Sequence, residues 1–173
     1  MYIRHTDEAD IPQIMKIYES ARSFMAKEGN PDQWGSDNWP PESLIRSDIV
    51  KNKSYVCISE KDDCVIGTFY FDFGPEPEPD YRTITDGSWL SALPYGVVHR
   101  IASDRSERGI GTFCIRWAID RSGGHLRIDT HDANRPMRSL LSKLGFSERG
   151  GVMIGGNKPR IAYEITVAPF TFS

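Results

Sequence analysis

Cysteine is scarce: the chain holds only Cys57, Cys64 and Cys114. An odd count without metal-ligand spacing argues against a disulfide framework, fits a reducing cytoplasm, and leaves the thiols as small core hydrophobes. No stretch approaches the roughly 18 apolar residues of a membrane span, and "MYIRHTDEADIPQI" lacks the apolar run that leads secretion, so neither membrane nor export is expected. Positive charge is not in excess. Lys and Arg number 21 against 24 Asp and Glu, a net charge of -3, so there is no basic stripe for nucleic acid. There is no helical His-x-x-x-His, and Asp129, His131 and Asp132, as neighbours on one strand, would not converge on an ion; no metal is expected. Repeats and low-complexity segments are also lacking.

What is present suits one domain over residues 1–173, with 39% apolar and 26% charged residues. A chain of this length buries roughly 70% of its unfolded surface. "YIRHT" reads as a strand. Asp7 or Asp10 then caps a helix running to about Lys27, with Ile11, Ile14, Met15, Tyr18, Ala21 and Met25 on one face. The loop "EGNPDQWGSDNWPPES" carries Trp34 and Trp39, either as a lid or pocket wall or as pins to the core. A second helix starts at Pro41 and Glu42 and runs through Asn52; "SYVCISE" and "CVIGTFYFDF" form a hairpin about "KDD". "GPEPEPDYRTITDG" reads as a solvated excursion, acidic enough to draw a cation.

"YGVVHRIAS" is apolar enough to be a central strand. Ile110, Phe113, Cys114, Trp117 and Ala118 follow helical spacing up to Gly123-Gly124. "LRIDTH" is a strand, "NRPMRSLLSKL" a helix capped by Asn134 and closed by Gly145, and "VMIGG" and "RIAYEITV" complete a mixed sheet with a parallel βαβ unit around residues 97–130.

The turn into the third helix reads Arg108-Gly109-Ile110-Gly111-Thr112. Glycines let main-chain N–H groups approach a ligand, and a helix start adds partial positive charge, so a phosphate or diphosphate suits it, with Arg105 and Arg108 as further donors; a tight turn packed closely for structural reasons uses the same residues. As a dinucleotide fingerprint the motif has Cys114 in place of the third glycine, with Asp129 as the ribose acid. Against that reading, Ala102 to Arg108 separate the strand from the glycines, and too little chain follows Asp129 for a doubly wound domain.

The segment from Ser106 to Gly111 is similar to the Gln/Arg-x-x-Gly-x-Gly/Ala motif of the GCN5-related N-acetyltransferase (GNAT) family, with Ser106 at the leading position. Asn134, Met137, Leu140-Leu141 and Gly145-Phe146 resemble that family's downstream pattern, and the element order agrees from "YIRHT" to "IAYEITV". The resemblance implies an α/β fold: a three-layer αβα sandwich around a mixed sheet splayed at its centre, the acyl-CoA N-acyltransferase fold. It implies acetyl-CoA, with diphosphate over Ser106, Arg108, Gly109, Ile110, Gly111 and Thr112. Pantetheine would run beside strand four, where a bulge at Ile101, Ala102 and Ser103 aims an N–H at the thioester carbonyl, with Asn134 reaching the pantetheine arm or serving only as a cap.

An amine nucleophile must lose a proton, and histidine titrates in the useful range. His99, on one face with Val97 and Ile101, resembles the family's base position; a buried structural histidine is the alternative. His131 is the second candidate, with Asp129 to orient it or to bind a cation. Arg100, alternating with His99, should face the opposite side and need a carboxylate partner. Leu141 stands where many family members carry a tyrosine acid, and Ser142, Tyr95 or water could replace it. The acceptor pocket is expected to use Trp34, Trp39, Tyr81, Trp89, Tyr95 and Asp129 around a small amine, and Arg160 to meet substrate or a second subunit of a homodimer. A module that only binds acyl-CoA is the alternative function.

Overall fold

The computed structural model describes residues 1–29, 34 and 38–167. Its strands are β1 (Tyr2–His5), β2 (Ser54–Ile58), β3 (Val65–Gly74), β4 (Tyr95–Ser103), β5 (His125–Thr130), β6 (Ser147–Ile154) and β7 (Lys158–Thr166). The helices are α1 (Ile11–Lys27), α2 (Glu42–Val50), α3 (Ile110–Arg121) and α4 (Arg135–Lys143). The strands form one seven-stranded mixed sheet in the order β1-β2-β3-β4-β5-β7-β6. β1, β2 and β3 pair antiparallel, β4 and β5 pair parallel at Gly96↔Leu126 and Val97↔Arg127, and β7 is antiparallel to both β5 and β6. Short 3₁₀ turns lie at Glu8–Asp10 and Pro79–Arg82.

The chain divides into two compact units, Met1–Phe71 with His99–Cys114 and Asp72–Val98 with Ile115–Ser173. The first is organised around Ile14, Ile17, Tyr18, Ala21, Ile45, Val56, Ile58, Val65 and Ala102. α1 supplies the first four of these because their spacing collects them on one helical face. Its entry is held by Arg4, whose guanidinium forks onto both oxygens of Asp10 at 2.7 and 2.8 Å. Burial pushes the Asp10 carboxyl up, but the Arg4 donors and the Asp7 N–H outweigh it and hold the group below its ordinary value. Cys57 and Cys114 are core residues as expected, whereas Cys64 is exposed.

The second unit is built on the β5–β7–β6 ladder, where Arg127 pairs with Glu164 and Asp129 with Ala162. Alternation along a strand puts Arg127 and Asp129 on one face and Leu126 and Ile128 on the other. α4 is punctuated as the sequence suggests: Asn134 Oδ1 accepts from the Met137 N–H at 3.2 Å, Pro136 stands in the first turn, and Gly145 follows with φ of +89°.

Candidate functional site

In the first unit, the residue before α3 is Gly109, whose φ of +82° is one that a side-chain-bearing residue rarely adopts. Its carbonyl accepts the first helical bond, from the Phe113 N–H at 2.9 Å. The N–H groups of Ile110, Gly111 and Thr112 therefore precede the ladder and lack intrahelical acceptors. They form a donor set that fits a diphosphate, supplemented by the dipole of a 12-residue helix. The helix start also packs closely: a Cβ on Gly67 of β3 would come within 2.8 Å of Ile110 Cγ2. The rest of the turn is engaged internally. The Ser106 amide and hydroxyl both donate to Asp104 Oδ1, at 2.9 and 2.7 Å, and the Arg105 guanidinium lies 3.9 Å from the Phe24 ring centroid and reaches Ser20. Arg108 is exposed.

Upstream in the same unit, β4 departs from regular alternation. Arg100 has φ of +53°, a left-handed conformation that costs a non-glycine residue roughly 1–3 kcal/mol. His99 and Arg100 consequently do not face opposite ways. The Tyr70 ring lies 5.6 Å from the His99 ring and 4.9 Å from the Arg100 guanidinium carbon, so neighbours in sequence share one aromatic surface. Two contacts hold the strained residue. The Tyr18 hydroxyl donates to the Arg100 carbonyl at 2.9 Å, and Arg100 Nη2 donates to Asp48 Oδ2 at 2.5 Å. Asp48 is the carboxylate the sequence required without naming; burial pushes its carboxyl up and Arg100 opposes the shift. The irregularity immediately precedes Ile101, Ala102 and Ser103, of which Ala102 belongs to the core while the other two are half-buried.

Trp34 packs edge-on against Tyr18 at 5.6 Å and against the first unit's core, in keeping with the pinning alternative without deciding against a pocket wall. Trp39 is half-buried, and its carbonyl accepts from Arg22 at 3.2 Å. The residues between them, 35–37, and residues 30–33 lie outside the described part of this loop.

In the second unit the acidic excursion is not simply solvated. Tyr81 is 1% exposed, and its hydroxyl donates to Asp129 Oδ1 at 2.6 Å. Trp89 Nε1 donates to the Tyr81 carbonyl, and the Arg127 guanidinium lies between the Trp89 and Tyr95 rings, 4.2 and 3.9 Å from their centroids. Aromatics override the polar composition because their burial outweighs the loop's preference for water. Burial first, and then the Asp129 charge, push the Tyr81 phenol well above its ordinary value, so it stays a donor. Tyr95, buried at 4% exposure, is pushed the same way by burial.

Glu164 is fully buried and accepts from His125 at 2.7 Å, from Arg127 at 2.9 Å and from the Leu90 N–H. Sequence reasoning did not single out this set or Asp48, and it placed Tyr18 only on the apolar face of the first helix. The available signal was an ionisable residue inside an apolar strand, as Arg127 is in "LRIDTH" and Glu164 in "IAYEITV", since buried charges must be paired. His131 is half-buried and its Nδ1 accepts from the Ala133 N–H at 3.1 Å, while Leu141 is fully buried. Asn134, His131, Asp129, Tyr81, Trp89 and Tyr95 thus belong to the second unit, and His99 and the 101–112 segment to the first.

No helix among the described residues is long and apolar enough to cross a membrane. No curated protein matches the chain. Among solved structures it is similar to a GNAT-family acetyltransferase from Streptococcus agalactiae 2603, with 32% identity over 96% of this chain and 95% of that one and a TM-score of 0.85. Its fold is also shared by a GNAT-family acetyltransferase from Listeria monocytogenes 4b F2365 (18% identity, 94% and 92% covered, TM-score 0.67). The same holds for the ribosomal-protein-alanine N-acetyltransferase of Brucella melitensis (19% identity, 96% and 100% covered, TM-score 0.58). The model of the acetyltransferase (GNAT) family matches residues 12–146. Sheet order, glycine turn and these matches agree, and the chain belongs to the GNAT family of acetyltransferases.

Proposed function

We propose that the chain, as one N-acetyltransferase domain, moves the acetyl group of acetyl-CoA to the primary amine of a small molecule by direct attack in a ternary complex. The start of α3 is the observation that carries this reading: three main-chain donors ahead of the helical ladder, just downstream of a strand broken at Arg100. As co-substrate, acetyl-CoA supplies a thioester, and the transfer exchanges its C–S bond for a C–N bond.

In this reading the Ile110, Gly111 and Thr112 amides, with Gly109 shaping the turn and Arg108 beside it, take the diphosphate, while Ser106 holds the turn through Asp104. Ile101, Ala102 and Ser103 offer the main-chain groups for the pantetheine and for the developing oxyanion. On the family resemblance, Asn134 takes the pantetheine arm. His99 receives the amine's proton, directly or through water, and His131 is the second candidate. Trp34, Trp39, Tyr81, Trp89, Tyr95 and Asp129 are assigned to the acceptor side. Of these, the buried Tyr81 and Tyr95 act by shaping that region and Asp129 by its charge. Leu141 has no proton to give the departing thiolate, whose ordinary pKa of about 8.5 makes it a tolerable leaving group without help.

That buried leucine is also what favours a second reading, a domain that binds acyl-CoA without turnover. Thiol release measured with acetyl-CoA and a panel of amines separates the two. Amine-dependent release with an N-acetylated product supports the transferase; tight CoA binding without it supports the binding module. His99→Ala is expected to lower turnover by about 10²- to 10⁴-fold and to alter its pH profile. An unchanged profile would remove His99 from the base role.

A further inference from the structure

In the second unit, residues 79–85 of the excursion and the β6–β7 hairpin line an open cavity of about 380 Å³. That volume lies within the range of small-molecule sites. Most of the polar side chains lining it are satisfied by the protein. Arg82 Nε and Nη2 fork onto Glu76, Asp80 Oδ2 accepts from the Gly155 N–H at 2.7 Å, and the Thr85 hydroxyl donates to the Gly151 carbonyl at 3.3 Å. Arg160 differs. Its side chain is only 11% exposed, yet its contacts among the described residues are a bond from Nη1 to the Pro159 carbonyl at 3.0 Å and an approach of Nε to Asp129 Oδ2 at 3.8 Å. The second distance is an ion-pair approach, too long for a hydrogen bond. Asp129 meanwhile accepts from the Tyr81 hydroxyl through its other oxygen. A guanidinium carries five donors in a rigid fork, and most of those on Arg160 have no acceptor among the described residues. Burial accordingly holds it below its ordinary value, which Asp129 offsets only in part.

A largely shielded fork with spare donors at a cavity wall suits a planar anion, and the surrounding charges limit which one. Arg82 is neutralised by Glu76 at 2.5 Å, whereas Arg160 meets its carboxylate, Asp129, only at 3.8 Å; Asp80 also lines the wall. A dianion such as a phosphate monoester would face two carboxylates with one counter-charge. A monoanionic carboxylate matches the fork bidentately with half the repulsion, and the Asp129 charge beside it favours a molecule that also carries an ammonium group.

We propose that Arg160 binds the carboxylate of the acceptor, so that the amine acetylated is an amino acid or a molecule built like one. This rests on the transferase reading above, since it places the substrate's acid group beside an acceptor-side residue, Asp129.

The test uses the full chain and matched pairs: phenylalanine against phenethylamine, ornithine against putrescine, arginine against agmatine. Thiol release should favour the carboxylate-bearing member by at least about tenfold in kcat/KM, as a site built for a polar group rejects analogues lacking it. Arg160→Gln should bring each pair to near equality, chiefly through KM, with CoA binding unchanged. Arg160→Lys, which keeps a point charge but no fork, should retain an intermediate preference and serves if the Gln variant does not fold. Absence of preference in the parent chain, or a preference that survives in the variants, overturns the proposal. A readout free of turnover compares N-acetylphenylalanine with its methyl ester by thermal shift: the acid alone should stabilise the parent chain, and not Arg160→Gln. A shift by the acid without any thiol release would leave the carboxylate site standing and refute the transferase. Transfer without carboxylate preference or an Arg160 effect would do the reverse.

Discussion

Among the arginines that sit opposite aspartates, Arg100 and Arg160 do different work. Arg100, in the first unit, is bonded to Asp48 at 2.5 Å, stacked near Tyr70, and held at its own carbonyl by Tyr18. Arg160, in the second, approaches Asp129 only to 3.8 Å and is bonded to one main-chain carbonyl. Both guanidiniums are shielded from water, with 15% and 11% of the side chain exposed. Burial alone therefore does not tell a structural charge from one available to a ligand; the closeness of the carboxylate, 2.5 Å at Arg100 against 3.8 Å at Arg160, does. Closing the pair at Arg100 fixes a strand in an unfavourable backbone state, whereas leaving it open at Arg160 maintains a field beside a cavity.

The largest effect is expected at Arg100. Arg100→Gln should leave the Asp48 carboxylate buried without a counter-charge and destabilise the fold by about 3–5 kcal/mol, read by urea denaturation. A loss below about 1 kcal/mol would put Arg100 in the same class as Arg160. Gly67→Ala tests the other element positioned in that unit. Its methyl group would meet Ile110 Cγ2 at 2.8 Å, so a loss of about 1–3 kcal/mol and weaker CoA binding are expected, the second by calorimetry.

Tyr18→Phe should remove about 1–2 kcal/mol by leaving the Arg100 carbonyl without its donor. It should also change the alkaline limb of stability. Burial lifts the Tyr18 phenol from 10.0 to about 12. Its folded value exceeds its unfolded one, so this contribution is complete below pH 10 and is lost as the pH rises towards 12, a decline that denaturation midpoints should show in the parent chain and show reduced in the variant. The smallest effect belongs to Arg160→Gln, which should alter stability by less than about 1 kcal/mol, because an incompletely paired buried charge contributes little net. A loss as large as that at Arg100 would make Arg160 structural and end the contrast.

The elements were legible where punctuation is local. Asn134, Pro136 and Gly145 bracket α4, Gly123-Gly124 follows α3, and "KDD" joins two strands that do pair. The glycine turn and the family were readable for the same reason, being a short contiguous pattern. Periodicity missed what depends on partners distant in sequence. Nothing near Arg100 announces a left-handed φ on a non-glycine residue, because the conformation is maintained by Tyr18 and Asp48. Composition likewise marked the excursion as solvated, and Tyr81 is buried there because Asp129, on β5, accepts its hydroxyl. Arg127 and Glu164 look like breaks in apolar strands until they are seen as one pair.

Whether the start of α3 grips a diphosphate is decided by a crystal structure of the chain with CoA. The prediction is diphosphate oxygens within about 2.7–3.2 Å of the Ile110, Gly111 and Thr112 main-chain nitrogens. CoA bound with its diphosphate elsewhere, and those three N–H groups facing only water or protein acceptors, would contradict it.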